Sequence, residues 1–143
     1  MFLGQYQHNL DEKGRLTIPA RYRDMIAIQG AFVMQGFDQN LMVLTTSAFD
    51  EYSHKVTAMS VTDPNARMLK RLLFSTAAQV EVDRAGRILL PQFLRGYAGL
   101  NGTAVLVGAG EYFEIWSPEN WEAQAAQLQD PDANAQRFVS LEL

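Results

Sequence analysis

The strongest constraint on this chain is that it repeats itself at an interval of 72 residues. The stretch Asp11-Glu-Lys-Gly-Arg15-Leu-Thr-Ile-Pro19-Ala-Arg-Tyr-Arg23 returns as Asp83-Arg-Ala-Gly-Arg87-Ile-Leu-Leu-Pro91-Gln-Phe-Leu-Arg95. Laid over one another without a gap, residues 2–37 and 74–109 agree at ten columns, among them Phe2/Phe74, Gln7/Gln79, Gly30/Gly102, Val33/Val105 and Gly36/Gly108. Chance would give about two, at roughly 5–10% per common residue. Farther along, Phe49 meets Trp121 and Val56 meets Leu128 at the same offset. One unit is written twice.

The interval is too long for a solenoid repeat, so the expectation is two halves, each marginal alone and able to bury the other's apolar face. The boundaries fall at 1–60 for the first half, 61–73 for a linking helix, 74–130 for the second half and 131–143 for an acidic tail. No run of about 18 apolar residues and no charged-then-apolar leader is present, which predicts neither a membrane span nor a signal peptide. With no cysteine in the chain, disulfides and thiolate metal sites are excluded, in keeping with a cytosolic protein.

Hydrophobic alternation supplies the elements. Phe2, Tyr6, His8 and Leu10 fall on one face of an opening strand, as do Val80 and Val82 in the second copy. Asp11-x-x-Gly14-Arg15 and Asp83-x-x-Gly86-Arg87 read as tight turns, the aspartate accepting from amides just downstream and the glycine taking a positive φ. Leu16 and Ile18, with Ile88 and Leu90, resume the inward pattern, so each half is expected to open with a β-hairpin. Pro19 and Pro91 then start short helices, Ala20–Ile28 and Gln92–Leu100, ending at Gly30 and Gly102. Strands follow at Phe32–Met34 and Leu41–Leu44, and at Thr103–Val107 and Tyr112–Trp116.

A helix closes each half. Ser47 is the expected cap of one, with Phe49, Tyr52, Val56 and Met59 inward. Ser117-Pro118-Glu119 opens the other, with Trp121, Ala125 and Leu128 inward. Between the halves Asp63-Pro64 starts a helix with Met68, Leu69, Leu72 and Leu73 on one side and Arg67, Lys70 and Arg71 on the other. After Asp130 the tail is polar apart from Phe138, Val139 and Leu141, and it either frays or docks elsewhere.

Net charge is −4, but it is unevenly spread: residues 111–143 carry seven acids against Arg137, and the remainder carries eleven bases and nine acids. A polyanion partner would have to meet a local patch on an acidic body. The obvious patch is the two turns, with Lys13 and Arg15 in one and Arg84 and Arg87 in the other. Strand-mounted arginines can pair bidentately with guanine or grip phosphate. The plainer reading makes Asp11–Arg15 and Asp83–Arg87 ion pairs that only hold the turns. The two are compatible if Asp11 and Asp83 brace while Arg15 and Arg87 face outward.

Other constellations are weaker. His8 shares the column of Val80, which makes it a half-buried core position, and His54 stands alone on a helix. Gly108-Ala-Gly110 lacks the third glycine of a dinucleotide fingerprint and any surrounding βαβ unit. The Arg67/Lys70/Arg71 side is most simply a solvated helix face. With no nucleophile–base pair, phosphate loop or carboxylate cluster, an enzyme is not expected, nor a cofactor or metal.

Taken together, the start Met1-Phe2-x-Gly4, the stretch Lys13–Arg23, the segment Arg71-Leu-Leu-Phe74 and Asp83-x-x-Gly-Arg-Ile-Leu-Leu-Pro91 give a chain that resembles the MraZ family of bacterial transcriptional regulators. The likeness runs over essentially the whole chain. It implies an α+β fold of two tandem AbrB-like (SpoVT-AbrB) modules: a pseudo-twofold, swapped-hairpin β-barrel flanked by short helices. It further implies a repressor of its own gene and of the division and cell-wall (dcw) cluster that follows. Such a repressor binds direct repeats in promoter double-stranded DNA, assembles as a homo-oligomeric closed ring, and is cytoplasmic and nucleoid-associated. Carried over by position, Arg15 and Arg87 are the DNA-binding residues, braced by Asp11, Asp83, Gly14 and Gly86; Lys13 and Arg84 are added from charge and loop placement. Ala85 stands where the first loop has Lys13, so the loops are expected to be unequal. Two other readings are a protein-interaction or antitoxin-like module on the same fold, and a small hydrolase, for which no residue set speaks.

Overall fold

In a computed structural model describing residues 1–142, the chain is mixed α+β. Eight strands are β1 (Gln5–Asn9), β2 (Arg15–Thr17), β3 (Ala31–Gln35), β4 (Leu41–Thr45), β5 (Ala78–Val80), β6 (Arg87–Leu89), β7 (Thr103–Gly108) and β8 (Tyr112–Trp116). The helices are α1 (Ala20–Gln29), α2 (Thr46–Thr57), α3 (Pro64–Thr76), α4 (Gln92–Ala98), α5 (Pro118–Leu128) and α6 (Pro131–Phe138), with a 3-10 turn at Val139–Leu141. Among the described residues no helix is long and apolar enough to cross a membrane.

The halves are interleaved. One antiparallel sheet runs β1-β7-β8-β4-β3-β5, and a separate two-stranded ribbon pairs β2 with β6. Thus β1 and β2 of the first half pair with β7 and β6 of the second, while β5 pairs with β3 of the first. The opening hairpins expected from the alternation are corrected accordingly. Within the first, the turn closes by Asp11 N–H to Arg15 O at 3.0 Å and the strands meet only at the Leu10–Leu16 bridge. A two-stranded hairpin this short buries too little to stand alone, and pairing across the halves gives every strand a neighbour with a covered face. The six-stranded ladder has β1 and β5 as its edges and does not close into a barrel.

The pseudo-twofold axis passes through the Leu16–Ile88 pair of the ribbon, and Leu41–Ile115 and Val43–Phe113 of β4–β8 are related by it. Both agree with the 72-residue interval. In β3 and β7 the interval is 73: Ala31 pairs with Val80 as Ala104 pairs with His8. The reason is local. α4 is shorter than α1 and ends at Gly99, not Gly102, and Asn101 and Gly102 form a turn before β7. Consequently Val33 lies in the main core while its ungapped partner Val105 faces the opposite side of the sheet.

The main core fills the space inside this sheet and ribbon. Leu16, Ile18, Ile88 and Leu90 come from the ribbon side, Val33, Val43, Leu106, Phe113 and Ile115 from the sheet, and Tyr22, Ile26 and Leu94 from α1 and α4. Tyr22 sits at its centre, 4.9 Å from Phe113 and 5.1 Å from Phe2 between ring centroids. Its hydroxyl donates to the carbonyls of Leu3 and Gly4, and burial pushes its pKa up to about 12. A second, smaller core lies on the outer face, where α2 and α3 cover Met34, Met42, Leu44, Val56 and Leu73. Phe32 stacks on Phe49 at 4.1 Å to fix α2 on β3.

Three helix details differ from expectation. β4 runs straight into α2, so Thr45, the last strand residue, caps it, accepting from Ala48 N–H; Ser47 instead donates to the Gln29 side chain. On α3 and at the end of α2, Met68 and Met59 are exposed, as is Leu128 on α5, because no further layer covers them. The tail is helical: Asp130 caps α6, accepting from Asp132 and Ala133 N–H.

Because each half supplies strands to the other, separately expressed residues 1–72 and 73–143 should each lack a cooperative, concentration-independent unfolding transition by circular dichroism. Co-expressed, they should copurify and regain it.

Candidate nucleic-acid interface

The two Asp-x-x-Gly-Arg turns lead into the two strands of the β2–β6 ribbon. Alternation sorts the ribbon's side chains: Leu16 and Ile88 point into the core, and Arg15, Thr17, Arg87 and Leu89 occupy the other face. In the first turn Asp11 Oδ1 accepts from Lys13 N–H at 3.1 Å and Arg15 N–H at 2.9 Å. Its Oδ2 accepts from Arg15 Nε at 2.6 Å. In the second, Asp83 Oδ1 accepts from Ala85 and Arg87 N–H and Oδ2 accepts from Arg87 Nε at 3.0 Å. The turns are the same object built twice.

Each carboxylate engages its own arginine through Nε, which, among the described residues, leaves three of the four terminal nitrogens without a partner. Among the described residues neither Nη of Arg15 has a hydrogen-bond partner, and Arg87 Nη1 lies 3.8 Å from Asp11 Oδ2, which draws the loops together. The arginine side chains are 35% and 30% exposed. Lys13 and Arg84 are exposed at the loop tips. All four predicted cations therefore lie on the ribbon and its two turns, and Asp11, Asp83, Gly14 and Gly86 hold the turns' shape. The structural and functional readings of the ion pairs coexist in this geometry.

Arg23 and Arg95, identical columns of the repeat, follow the turns as further bases in the sequence, and their structural role was missed. Gly14 has φ +93° and Gly86 φ +79°, and a Cβ on either would strike a guanidinium from the other half. On Gly14 it would meet Arg95 Nε at 2.6 Å and Leu90 O at 2.9 Å; on Gly86 it would strike Arg23. Arg95 Nε donates to Leu90 O, whereas Arg23 Nε is buried without a partner. Backbone bonds complete the exchange, Ile18 N–H to Gly86 O at 2.9 Å and Leu90 N–H to Gly14 O at 2.8 Å. Each loop is closed by its own aspartate and seated on the opposite half.

Elsewhere the chemistry is sparse. His8 is half-buried and stacks beside Tyr6, and His54 is an exposed helix residue whose Nδ1 meets Asp50 O. Among the described residues no group of three His, Cys, Asp or Glu is placed to hold a metal ion.

The family model described as "MraZ protein, putative antitoxin-like" matches residues 1–72 and again residues 73–139. The chain belongs to the MraZ family. The division between its two matches falls within α3, next to the repeat boundary. A protein of Thermomicrobium roseum named "Transcriptional regulator MraZ" is 46% identical over 99% of both chains. One of the same name from Roseiflexus castenholzii is 44% identical over 97% of this chain and 94% of its own. That of Moorella thermoacetica is 38% identical over the full length of both.

Amide and guanidinium donors, those of Arg15 and Arg87 first, hold the Asp11 and Asp83 carboxyls below the usual aspartate pKa. A depressed carboxyl pKa stabilises the fold above the unfolded value, about 3.9, and this is lost as pH falls through the folded value. The stability difference between wild type and Asp11→Asn/Asp83→Asn, from urea unfolding, should be flat between about pH 5 and 8 and shrink below about pH 4. Gly14→Ala should cost about 1–3 kcal/mol in the same assay, from the left-handed backbone and the displaced Arg95.

Proposed function

We propose that the chain is a transcriptional regulator that binds promoter double-stranded DNA with the β2–β6 ribbon and its two turns. Arg15 and Arg87 present their free guanidinium ends to base edges or phosphates, and Lys13 and Arg84 add phosphate contacts. The observation that carries the reading is the pair of arginines fixed at Nε on the outer face of one two-stranded ribbon, Arg15 with both Nη atoms open and Arg87 with Nη1 3.8 Å from Asp11 and Nη2 open. A ribbon of this width fits a major groove, and bracing the arginines in advance lowers the entropy lost on binding. The names carried by the relatives support the same reading.

In its finer form the proposal takes the fold as a duplicated AbrB-like swapped-hairpin barrel whose main ladder is open between β1 and β5 and is faced by the β2–β6 ribbon; the exchange of strands between halves supports it. The protein acts as a cytoplasmic, nucleoid-associated repressor of its own gene and of the dcw genes behind it. Its sites are short direct repeats, met by a closed homo-oligomeric ring. Oligomerisation answers the charge problem: one ribbon on a body of net charge −4 binds weakly, and several ribbons meeting repeats gain through effective concentration. No catalytic role is assigned.

Fluorescence anisotropy with the protein's own upstream DNA tests this. Specific binding should weaken steeply with salt, and each phosphate contact removed should lower the log–log salt slope by about 1. Arg15→Ala and Arg87→Ala should each weaken binding about tenfold or more with an unchanged fold. Arg15→Lys should restore little, since it loses both the Nε bond to Asp11 and the planar fork. No preference over random DNA, with the fold intact, would favour the interaction-module reading, to which the antitoxin-like description also points.

A further inference from the structure

We propose that Leu89 reads a thymine, its side chain packing on the C5 methyl in the major groove beside the contact made by Arg15. The inference rests on the DNA-binding reading above and gives one end of the ribbon a base preference.

Four side chains make the outer face of the ribbon. Arg15 stands opposite Leu89 and Thr17 opposite Arg87, so the arginines share one diagonal and Leu89 and Thr17 the other. Side chains facing each other across antiparallel strands have Cβ atoms about 4.5–5.5 Å apart. Bases along one DNA strand rise by about 3.4 Å each, so Arg15 and Leu89 meet the same base pair or adjacent ones. Arg15 is held at Nε by Asp11, and Leu89 across from it stays 58% exposed.

An exposed leucine by itself is ordinary. Its place is what makes this one informative, because a duplex seated on Arg15 and Arg87 covers it. Chemistry then selects its counterpart. Phosphates, ring nitrogens, carbonyls and amino groups all need a polar partner, and leucine has none to offer. The C5 methyl of thymine is the apolar group that the major groove displays. A guanine or adenine in the same place would set an unpaired acceptor against the leucine, so the contact discriminates as well as attracts.

The two ends of the ribbon differ in the same sense. Leu89 lies beside the first turn, where Leu90 N–H donates to Gly14 O. That turn carries Asp11 and Glu12 against Lys13 and Arg15, a neutral set. Thr17 lies beside the second turn, where Ile18 N–H donates to Gly86 O. This turn carries Asp83 against Arg84 and Arg87, a net charge of +1. Thr17 is half-buried, and its hydroxyl can bond a phosphate or several base edges. Phosphate attraction is concentrated at the second end and apolar readout at the first. Leu89 and Thr17 occupy matching columns of the repeat, so their difference gives a pseudo-twofold ribbon one direction along DNA.

Deoxyuridine tests the contact, because it removes the methyl of thymine and keeps every polar group. Each thymine in the upstream segment that the protein protects is replaced singly, and binding is read by competition in fluorescence anisotropy. Wild type should lose about three- to fivefold at one thymine of each site, the size expected for one methyl withdrawn from apolar contact. Leu89→Ser changes an exposed position and should keep the wild-type circular dichroism spectrum and the wild-type mass in light scattering. It should bind the natural DNA more weakly by a similar factor and be indifferent to that deoxyuridine, so that the two changes do not add. Leu89→Met should retain the penalty, and so should Thr17→Ser. Specific wild-type binding with no deoxyuridine penalty, or a penalty that persists in Leu89→Ser, would overturn the readout and leave the DNA-binding reading standing. A changed mass in Leu89→Ser would also overturn it, by making the leucine a contact between copies. No wild-type preference for its own upstream DNA over random sequence would overturn both.

Discussion

Arg95 of the second half lies against Gly14 of the first, and Arg23 of the first lies against Gly86 of the second. The outer surface of the protein depends on that exchange. Neither loop can be seated until the other half is present, because the guanidinium under each glycine and the amide N–H that donates to that glycine's carbonyl both come from across the axis. The ribbon is therefore a product of the whole chain. A duplicated sequence gives two such loops at a fixed spacing for one folding event, which explains why the interval of 72 residues is kept through the ribbon.

Bracing and binding draw on different atoms of the same side chains. The aspartates take the backbone amides and Nε, and among the described residues only Arg87 Nη1 of the terminal nitrogens lies near a carboxylate, that of Asp11 at 3.8 Å. An exposed ion pair contributes little stability. Its consequence here is positional, since a long side chain that would sample many rotamers is held in one direction before any ligand arrives. The lowered pKa values keep both aspartates ionised at neutral pH, so the brace is in place there.

Much of this was legible in the sequence. The repeat located both loops, and the alternation of Leu16, Ile18, Ile88 and Leu90 fixed which ribbon face is inside. What alternation cannot report is the partner of a strand: β1 and β2 have the same period whether they pair with each other or with β7 and β6. Pairing of such short strands is decided by tertiary burial. The one-residue slip between β3 and β7 was invisible for a related reason. Gly30/Gly102 and Val33/Val105 are identities in the ungapped alignment, yet the shorter α4 and the turn at Asn101 place them differently. Arg23 and Arg95 stood in a conserved column of the repeat, but only the fold shows that they reach across to the opposite glycine. The closing helices were found without their layers. Met59, Met68 and Leu128 carry the helical period of buried residues and are exposed because no neighbour in the same chain lies over them.

Two basic surfaces are candidates for the proposed DNA contact, the β2–β6 ribbon with its turns and the Arg67/Lys70/Arg71 face of α3. Hydrogen–deuterium exchange with and without the protein's own upstream DNA distinguishes them directly. The account predicts protection at the amides of residues 13–17 and 85–89, with no DNA-dependent change along α3. Protection along α3, with the ribbon unaffected, would contradict it.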